Sequence, residues 1–422
     1  MHNRHTWAFG AVALVSLCLG GCAFSNLNKD LARLEAASFA FEGTVTTHNL
    51  RSGSLIVVAM NDVDGSDIAG FSMLYGAGEF EMLLSPRRTY FLAFNDLNKD
   101  LAFQINEPFA WAADGNAVGT QTRDIRIAIT SESDSTLPVP RQLVGQPLIE
   151  SYNDRLSFAL GTVTPLTDAH FSDEQAKKGL WEPFSFMADG GTGIHMLSQY
   201  DPDKVPVLFV HGILDSPRNF APLIGSLDQS RYQAWVYSYP SGLKLGWLSR
   251  GLAKFLEAMH ADLEYDALHV VAHSMGGLVA RGMINYCVAN STCAYLQSFT
   301  AISTPWDGVD SARAGVKWAP TVVPVWRDIV PDSQFVESLF DTALPENLPF
   351  HLLFGYRQTS VFGAQSSDGV IKLASQLRRS AQEQADLVRG YDQNHVDILS
   401  DEHLIDQVQS ILDGVTVRGD GG

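Results

Sequence analysis

From Val205 onward, short apolar segments alternate with segments of helical spacing. The apolar segments include "VPVLFVHG", "LHVVAHS" and "LQSFTAIS", and one of the segments between them is "LSRGLAKFLEAMHADL". Near-continuous apolar strands are typical of a parallel sheet that helices cover on both faces. We therefore predict that residues 205–415 form an α/β domain with a doubly wound, mostly parallel sheet.

Residues 40–150 follow a different pattern, in which apolar and polar residues alternate over short stretches. Examples are "SLIVVAM", "EFEMLL", "TYFLAFND" and "DIRIAIT", separated by Gly, Asn, Asp and Pro. Such stretches are typical of antiparallel strands joined by turns. The pattern predicts a small antiparallel β-sandwich-like domain. Residues 151–204 are mixed in character and are predicted to connect this domain to the α/β domain.

The stretch "VVAHSMGGLVAR" places Ser274 between a predicted strand and a predicted helix. A strand-to-helix elbow of this kind exposes a serine hydroxyl above the sheet, and small residues around it let the two elements approach. The general pattern is G-x-S-x-G, whereas Ala272 stands at the first glycine position here. Because a serine hydroxyl is a weak nucleophile, it requires a nearby base and donors for the oxyanion. Ser274 is therefore a candidate nucleophile that needs partners elsewhere in the chain.

An acid and a histidine that could serve as partners follow Ser274 in the sequence. Asp368 lies at a predicted turn in "SSDGVI", and His395 lies in "YDQNHVDIL", just before the last predicted helix. We predict that His395 is the base and that Asp368 orients its ring. Less favoured candidates for these two roles are His351, His403, Asp328, Asp332 and Asp397.

Upstream of the elbow, the segment "VPVLFVHGILDSPRNF" is a predicted strand that ends in His211 and Gly212, followed by a helix start. This segment and the "AHSMGG" elbow resemble the α/β-hydrolase family, in particular bacterial lipases and esterases, which carry the same alanine. The resemblance covers residues 205–415 and leaves the first 200 residues without a counterpart. His211 is interpreted as an aromatic ring near the site rather than as a catalytic residue.

The resemblance implies a serine hydrolase site in this chain. By position, the backbone amides of Ile213 and Met275 would form the oxyanion hole, and Ser274, His395 and Asp368 would form the catalytic triad. The expected function is a serine ester hydrolase of the lipase or carboxylesterase type, which needs no cofactor for catalysis. An amidase or thioesterase with the same triad is an alternative. A second alternative is a non-catalytic lipoprotein that binds the cell envelope, although a scaffold does not need a complete triad.

The crossover at residues 306–348 is longer than a minimal strand connection and is rich in apolar residues. It is either ordinary core or a lid that covers Ser274 and lines an acyl pocket. The second interpretation favours substrates with apolar acyl chains, whether lipids or soluble esters. The apolar residues of the crossover on which these interpretations rest are Trp318, Val322, Val323, Val325 and Trp326.

The first 22 residues combine a basic start, an apolar stretch and small residues before a cysteine. This is the pattern of a secretory signal, and its apolar stretch is short for a membrane span. The ending "LGGC" resembles the bacterial lipobox, which implies that residues 1–21 are a signal peptide and that Cys22 is lipidated. Ala23 after it favours an outer-membrane lipoprotein of the cell envelope, followed by a linker at 22–39. The alternative is an ordinary cleaved signal and a secreted or periplasmic protein.

Cys287 and Cys293 remain once Cys18 is assigned to the signal and Cys22 to the lipid. In an oxidising compartment these two residues form a plausible disulfide, and the alternative is a pair of buried thiols.

The segment "DLNKDLAFQINE" has polar residues at the ligand positions of a calcium-binding loop, but Leu101 stands where glycine is usual. Calcium binding is one prediction for this segment, and a solvated β-turn is the alternative. The ligand positions are held by Asp96, Asn98, Asp100, Ala102, Gln104 and Glu107.

The net charge of −18 argues against a nucleic-acid partner, because phosphate backbones are bound by basic surfaces. The predicted partners are an acyl-ester or lipid substrate and, through Cys22, a membrane.

Overall fold

The computed structural model describes residues 21–37, 39–48, 50, 54–74, 77–84, 89–98, 100, 102–112, 125–130, 137–146, 148, 158–357 and 366–414. The chain divides into two compact units. The β unit is Leu31–Ser157, and the α/β unit combines residues up to Asp30 with those from Phe158 onward. The predicted signal peptide, residues 1–21, lies outside the described residues except for Gly21.

The described residues of the β unit form seven strands: β1 (Phe39–His48), β2 (Ser54–Met60), β3 (Ile68–Leu74), β4 (Gly78–Leu84), β5 (Tyr90–Asp96), β6 (Phe109–Trp111) and β7 (Ile125–Thr130). They form a three-stranded sheet in the order β4-β1-β7 and a four-stranded sheet in the order β3-β2-β5-β6. Pairings between these strands are antiparallel except that of β1 with β7.

Apolar side chains cover both faces of the central strand β2. Leu55 and Val57 belong to a buried cluster that includes residues of the three-stranded sheet, whereas Ile56 and Val58 belong to a second cluster. Because neither face of β2 meets solvent, its sequence is continuously apolar. The predicted sandwich-like architecture is therefore confirmed, with one parallel pairing that the sequence pattern did not indicate.

Three of the four residues predicted to bind calcium, Asn98, Asp100 and Glu107, make local hydrogen bonds. Both carboxylate oxygens of Glu107 accept backbone N–H groups, from Leu97 at 2.9 Å and from Gln104 at 3.0 Å. Asp100 accepts the N–H of Ala102 at 3.0 Å and the side-chain amide of Asn98 at 2.8 Å. Asp96 is buried at the end of β5. Among the described residues, no group of three or more His, Cys, Asp or Glu could hold a metal ion, and calcium binding stays a prediction.

In the part of the α/β unit that the structure describes, the strands form one eight-stranded sheet. Its strands are β8 (Ala159–Val163), β9 (Gly193–Met196), β10 (Val205–Val210), β11 (Tyr232–Ser238), β12 (Leu268–His273), β13 (Leu296–Ile302), β14 (Phe350–Gly355) and β15 (Leu387–Tyr391). The order is β15-β14-β13-β12-β10-β11-β9-β8, and neighbours are parallel except β9 and β11. The predicted doubly wound, mostly parallel sheet is confirmed.

Twelve α-helices lie within the described residues. They are α1 (Gly21–Ala37), α2 (Asp173–Trp181), α3 (Pro183–Ala188), α4 (Ala221–Ser226), α5 (Leu245–Leu263), α6 (Met275–Asn290), α7 (Asp310–Trp318), α8 (Pro324–Ile329), α9 (Gln334–Ser338), α10 (Leu373–Gln376), α11 (Arg379–Gln384) and α12 (Glu402–Leu412). Helix α12 packs on the sheet, because its buried Leu404 and Val408 share a core cluster with Phe209 of β10 and Val271 of β12. None of the described helices is long and apolar enough to cross a bilayer.

The described part of the predicted connecting segment, residues 158–204, belongs to the α/β unit. It contributes β8, β9, α2 and α3, and β9 pairs with β11. Gly193 has a φ of 138°, and a Cβ there would lie 2.1 Å from the carbonyl oxygen of Ala159. A four-residue strand with all positions buried carries no alternation, so the sequence pattern could not reveal it.

The segment predicted as a linker, residues 22–39, lies largely within the helix α1 (Gly21–Ala37). The contacts that hold its first ten residues come from distant parts of the chain. Asp30 accepts the N–H groups of Phe184 at 2.7 Å and Ser185 at 3.2 Å. Leu27 is fully buried. These long-range contacts have no counterpart in the local sequence.

The structure joins Cys287, near the end of α6, to Cys293 in a disulfide. The two residues are six positions apart and both are buried. Closing so short a loop restricts the unfolded chain only modestly, which corresponds to about 2 kcal/mol in the chain-entropy description.

Removing this disulfide is expected to lower the melting temperature without unfolding the protein. We expect the Cys287→Ala, Cys293→Ala variant to melt roughly 4–8 °C below the wild type, because about 2 kcal/mol of unfolded-state restriction is lost. Calorimetry with and without a reductant measures this. The double variant is the control, since reductant should not affect it; an equal effect on both proteins contradicts the assignment.

Candidate active site

Ser274 occupies a strained turn between β12 and α6. Its φ of 55° and ψ of −130° lie outside the regions that a residue with a side chain normally adopts. A Cβ on Gly276 would lie 2.2 Å from the carbonyl oxygen of Val210, so only glycine fits this close approach. Ala272 is fully buried in β12, which shows that the methyl group at the first position of the elbow is accommodated.

Ser274, His395 and Asp368 form a continuous hydrogen-bonded chain. His395 Nε2 lies 2.9 Å from Ser274 Oγ, and His395 Nδ1 lies 2.6 Å from Asp368 Oδ2. All three side chains are buried. With the Nδ1 proton donated to the carboxylate, Nε2 is free to accept the serine proton. The structure thus brings together the three residues that the sequence predicted for the nucleophile, the base and the orienting acid.

Several donors keep the Asp368 carboxylate charged. Burial by itself would raise the pKa of Asp368, but the charge and hydrogen bond of His395 and the N–H groups of Ile371 and Val370 lower it below the ordinary value. A carboxylate whose folded pKa is depressed adds stability above its unfolded pKa of about 3.9 and loses it as pH falls through the folded value. The acid that orients His395 is therefore ionised at neutral pH.

The amides predicted for the oxyanion hole flank the nucleophile. Met275 is the first residue of α6, where backbone N–H groups have no intrahelical partner. Ile213 lies beside Gly212, whose Cβ position would be only 3.3 Å from Ser274 Oγ. Over the described parts of the chain, neither the Ile213 nor the Met275 N–H donates a hydrogen bond to another residue. Both are available to an oxyanion beside the serine.

Backbone strain and a side-chain contact fix the loop that carries Ile213. Leu214 has a φ of 54°, in the left-handed region that disfavours a branched side chain. Its N–H donates to Ser241 Oγ at 3.3 Å. A non-glycine residue held in this conformation is common where a loop must present a group to a reacting centre.

A second carboxylate–imidazole pair, Asp215 with His273, lies under the site and was not anticipated from the sequence. Asp215 Oδ2 lies 3.5 Å from His273 Nδ1, and both side chains are at most 9% exposed. The same carboxylate accepts the N–H groups of Gly212 at 3.3 Å and Ser216 at 2.7 Å. Burial would raise the pKa of Asp215, but the charge of His273 and the hydrogen bond from the N–H of Ser216 hold it below its usual value.

The pair connects the loop of Ile213 to the loop of the base. His273 Nε2 donates to the backbone carbonyl oxygen of His395 at 2.8 Å, since a carbonyl can only accept. Asp215 holds the oxyanion loop on the other side of the same ring. The local signals were an acid three residues after Gly212 and a histidine directly before Ser274, but only the fold brings them together.

His211 has a packing role, in line with its interpretation from the sequence. Its ring stacks on Tyr239 with centroids 4.2 Å apart, and Nδ1 lies 2.9 Å from the carbonyl oxygen of Gly212. Burial lowers the pKa of His211, so the ring is neutral. The less favoured candidates lie elsewhere: His351 contacts Thr300 within the sheet, and His403 is exposed on α12.

Comparison with protein-family models gives a match to part of the chain. Residues 207–400 match the model described as an alpha/beta hydrolase family. No match to this chain is found among curated protein sequences.

Solved structures with similar folds include a mature lipase of Bacillus licheniformis, with 17% identity, a TM-score of 0.41 and coverage of 51% of this chain and 94% of that one. Lipase B of Aspergillus fumigatus has 17% identity, a TM-score of 0.40 and coverage of 52% and 56%. The phospholipase PlaB of Legionella pneumophila, in complex with thio-NAD, has 19% identity, a TM-score of 0.35 and coverage of 41% and 44%.

The match covers less than half of the chain and agrees with the sheet topology of this unit. The unit has the α/β-hydrolase fold: the turn that carries Ser274 follows the central strand β12, and Asp368 and His395 follow β14 and β15.

A methyl group at Gly276 is expected to disrupt the elbow. Because its Cβ would overlap the backbone of Val210, Gly276→Ala should lower the melting temperature and abolish labelling of Ser274 by a fluorophosphonate. Gly225→Ala is the matched control, since nothing lies within 4 Å of a Cβ there and alanine favours the helix by about 1 kcal/mol. Equal melting temperatures for the two variants contradict this account.

Loss of the Asp215 carboxylate is expected to slow labelling of Ser274 and to reduce stability. Asp215→Ala leaves two backbone N–H groups unpaired, at about 1–3 kcal/mol each when buried, whereas Asp215→Asn keeps an acceptor oxygen and should recover part of both properties. Labelling rates and melting temperatures measure this. Asp228→Ala, at an exposed turn where the carboxylate also caps a backbone N–H, is the control; an equal effect there contradicts the positioning role.

Proposed function

We propose that this protein is a serine ester hydrolase of the lipase or carboxylesterase type. The observation that carries the proposal is the hydrogen-bonded chain from Ser274 Oγ through His395 to the buried Asp368. The adjacent unpaired N–H groups of Ile213 and Met275 supply the remaining requirement of acyl transfer, which is a site for negative charge.

In the proposed mechanism, Ser274 Oγ attacks the acyl carbonyl carbon while His395 Nε2 takes the hydroxyl proton. The negative charge that forms on the carbonyl oxygen is held by the N–H groups of Ile213 and Met275. His395 then gives its proton to the leaving alkoxide, and the alcohol departs. Water, deprotonated by the same nitrogen, cleaves the acyl-enzyme to release the acid and regenerate the serine. No cofactor takes part in these steps.

We propose that the crossover at 306–348 lines the acyl side of the site. The segment that leads into it packs against the elbow, since a Cβ on Gly277, three residues after Ser274, would lie 1.9 Å from Thr304 Oγ1. Its Trp306 is fully buried, whereas Trp318 is 68% exposed. This mixture suits a cover whose inner face is apolar. Whether the segment moves as a lid is a separate prediction.

The proposed setting is the bacterial cell envelope, with acyl chains on Cys22 as the anchor. The support is the "LGGC" ending of the signal-like segment. Two acyl chains give stable membrane attachment, whereas one is marginal. A secreted or periplasmic protein is the alternative, and mass analysis of the N-terminal peptide of the purified protein decides between them.

The catalytic proposal predicts that a fluorophosphonate labels the wild type and that p-nitrophenyl esters are hydrolysed. Ser274→Ala and His395→Gln should lower kcat/KM by roughly 10³-fold or more, because the nucleophile or its base is removed. His403→Gln, a histidine exposed on α12, is the control and should retain wild-type activity.

A wild type that is not labelled refutes the enzyme and favours an envelope-binding lipoprotein. Labelling with turnover of thioesters or amides, but not of esters, favours the second enzymatic candidate, because the triad does not select the leaving group. A preference for long acyl chains favours a lipase, and a preference for short chains favours a carboxylesterase.

A further inference from the structure

The first residues after Cys22 are fixed to the α/β unit. The ring of Phe24 packs edge-on against Trp181 and Trp326, with centroids 5.2 Å and 6.5 Å away. Leu27 is fully buried, and Asp30 bonds to the first turn of α3. The ring of Phe24, the buried Leu27 and the buried carboxylate of Asp30 thus hold about two turns of α1 in place.

This attachment leaves almost no flexible chain between Cys22, which would carry the acyl chains, and the α/β unit. Only Ala23 separates Cys22 from Phe24, and a helix rises 1.5 Å per residue, so these two residues lie about 3 Å apart along the axis of α1. An ordinary flexible linker of tens of ångströms would let the unit adopt any orientation on a membrane. Here the lipidated residue would lie within one helical turn of Phe24, whose ring packs on Trp181 and Trp326.

The same aromatic cluster supports α7, which carries an exposed tryptophan. A Cβ on Gly315 would lie 2.6 Å from the Trp326 ring, so α7 rests directly on that ring. The helix ends at Trp318, whose side chain is 68% exposed, and the ammonium group of Lys317 lies 4.7 Å from its ring centroid. The Trp326 ring therefore contacts both α7, whose end is exposed, and Phe24 of α1.

Tryptophan and lysine side by side suit the headgroup layer of a bilayer. The indole ring is apolar with one polar N–H, and lysine keeps its ammonium in water while its stem lies on apolar surface. The net charge of −18 opposes attraction to an anionic surface, so this contact depends on the anchor to bring it about.

We propose that the end of α7, formed by Trp318 and Lys317, lies in the headgroup layer of the phospholipid bilayer that holds the acyl chains of Cys22. The proposal rests on the lipidation proposed above. It assigns the unit one orientation, with the 306–348 crossover facing the membrane. The short attachment through Phe24 sets this orientation, and the exposed indole completes it.

The test uses the full-length lipidated protein in vesicles of phosphatidylethanolamine and phosphatidylglycerol. Trp318→Cys and, as a matched control, Val388→Cys, an exposed apolar residue on β15, are each labelled with a fluorophore. Cys287 and Cys293 are joined to each other, so the introduced thiol reacts selectively. Nitroxide-bearing lipids should quench position 318 about threefold or more above position 388; equal quenching overturns the proposal.

A flexible insertion tests the role of the attachment. A Gly/Ser segment of roughly ten residues between Cys22 and Ala23 should keep the protein on the vesicles but bring quenching at position 318 down to that at position 388. If the difference persists, α1 does not orient the unit and the proposal is wrong.

Failure of the anchor is measured separately from failure of catalysis. Mass analysis that finds Cys22 without acyl chains removes the basis for this proposal, whatever the p-nitrophenyl ester assay shows. Conversely, an acylated protein with the expected quenching but no fluorophosphonate labelling keeps the membrane orientation and loses the proposed enzymatic activity.

Discussion

The backbone of Ser274, held at a φ of 55°, is the constraint on which the rest of the α/β unit depends. A serine in this conformation costs free energy, of the order of 1–3 kcal/mol, and persists only when its surroundings leave no alternative. The surroundings here are β12 in the middle of the sheet and the glycine at position 276 against Val210. The strain places the hydroxyl within reach of His395 and leaves the first N–H groups of α6 directed at the same region.

Two carboxylate–imidazole pairs lie beside Ser274. Asp368 acts on the side chain of His395, and Asp215, through His273, acts on the backbone of the same residue. Buried charges are costly unless they are paired and hydrogen-bonded, and each carboxylate also accepts two backbone N–H groups. The cost of burial is thereby offset by contacts that fix both the base and the oxyanion loop, so the two halves of the proposed chemistry share one support.

Features that depend on residues close together in the chain could be predicted from the sequence, and features that depend on distant residues could not. Ser274 was predictable because its elbow is local, and Asp368 and His395 because chain order in this fold is fixed once the elbow is known. Sheet class followed from the apolar runs. The Asp215–His273 pair, the strands β8 and β9, and the packing of α1 all depend on contacts between residues far apart in the chain. The alternation and spacing of apolar and polar residues along the chain do not reveal such contacts.

The packing of α1 also changes how the N-terminal region relates to the site. Gly242 accepts the N–H of Val325, next to the Trp326 ring that Phe24 contacts, and the neighbouring Ser241 accepts the N–H of Leu214 in the oxyanion loop. The turn at 241–242 thus bonds on one side to the segment that carries Trp326 and on the other side to the loop of the proposed oxyanion hole. A segment that the sequence predicted as a linker is therefore connected, through Trp326 and the turn at 241–242, to the loop that carries Ile213. In a protein held to a bilayer through Cys22, the anchor and the catalytic loop would share one rigid scaffold.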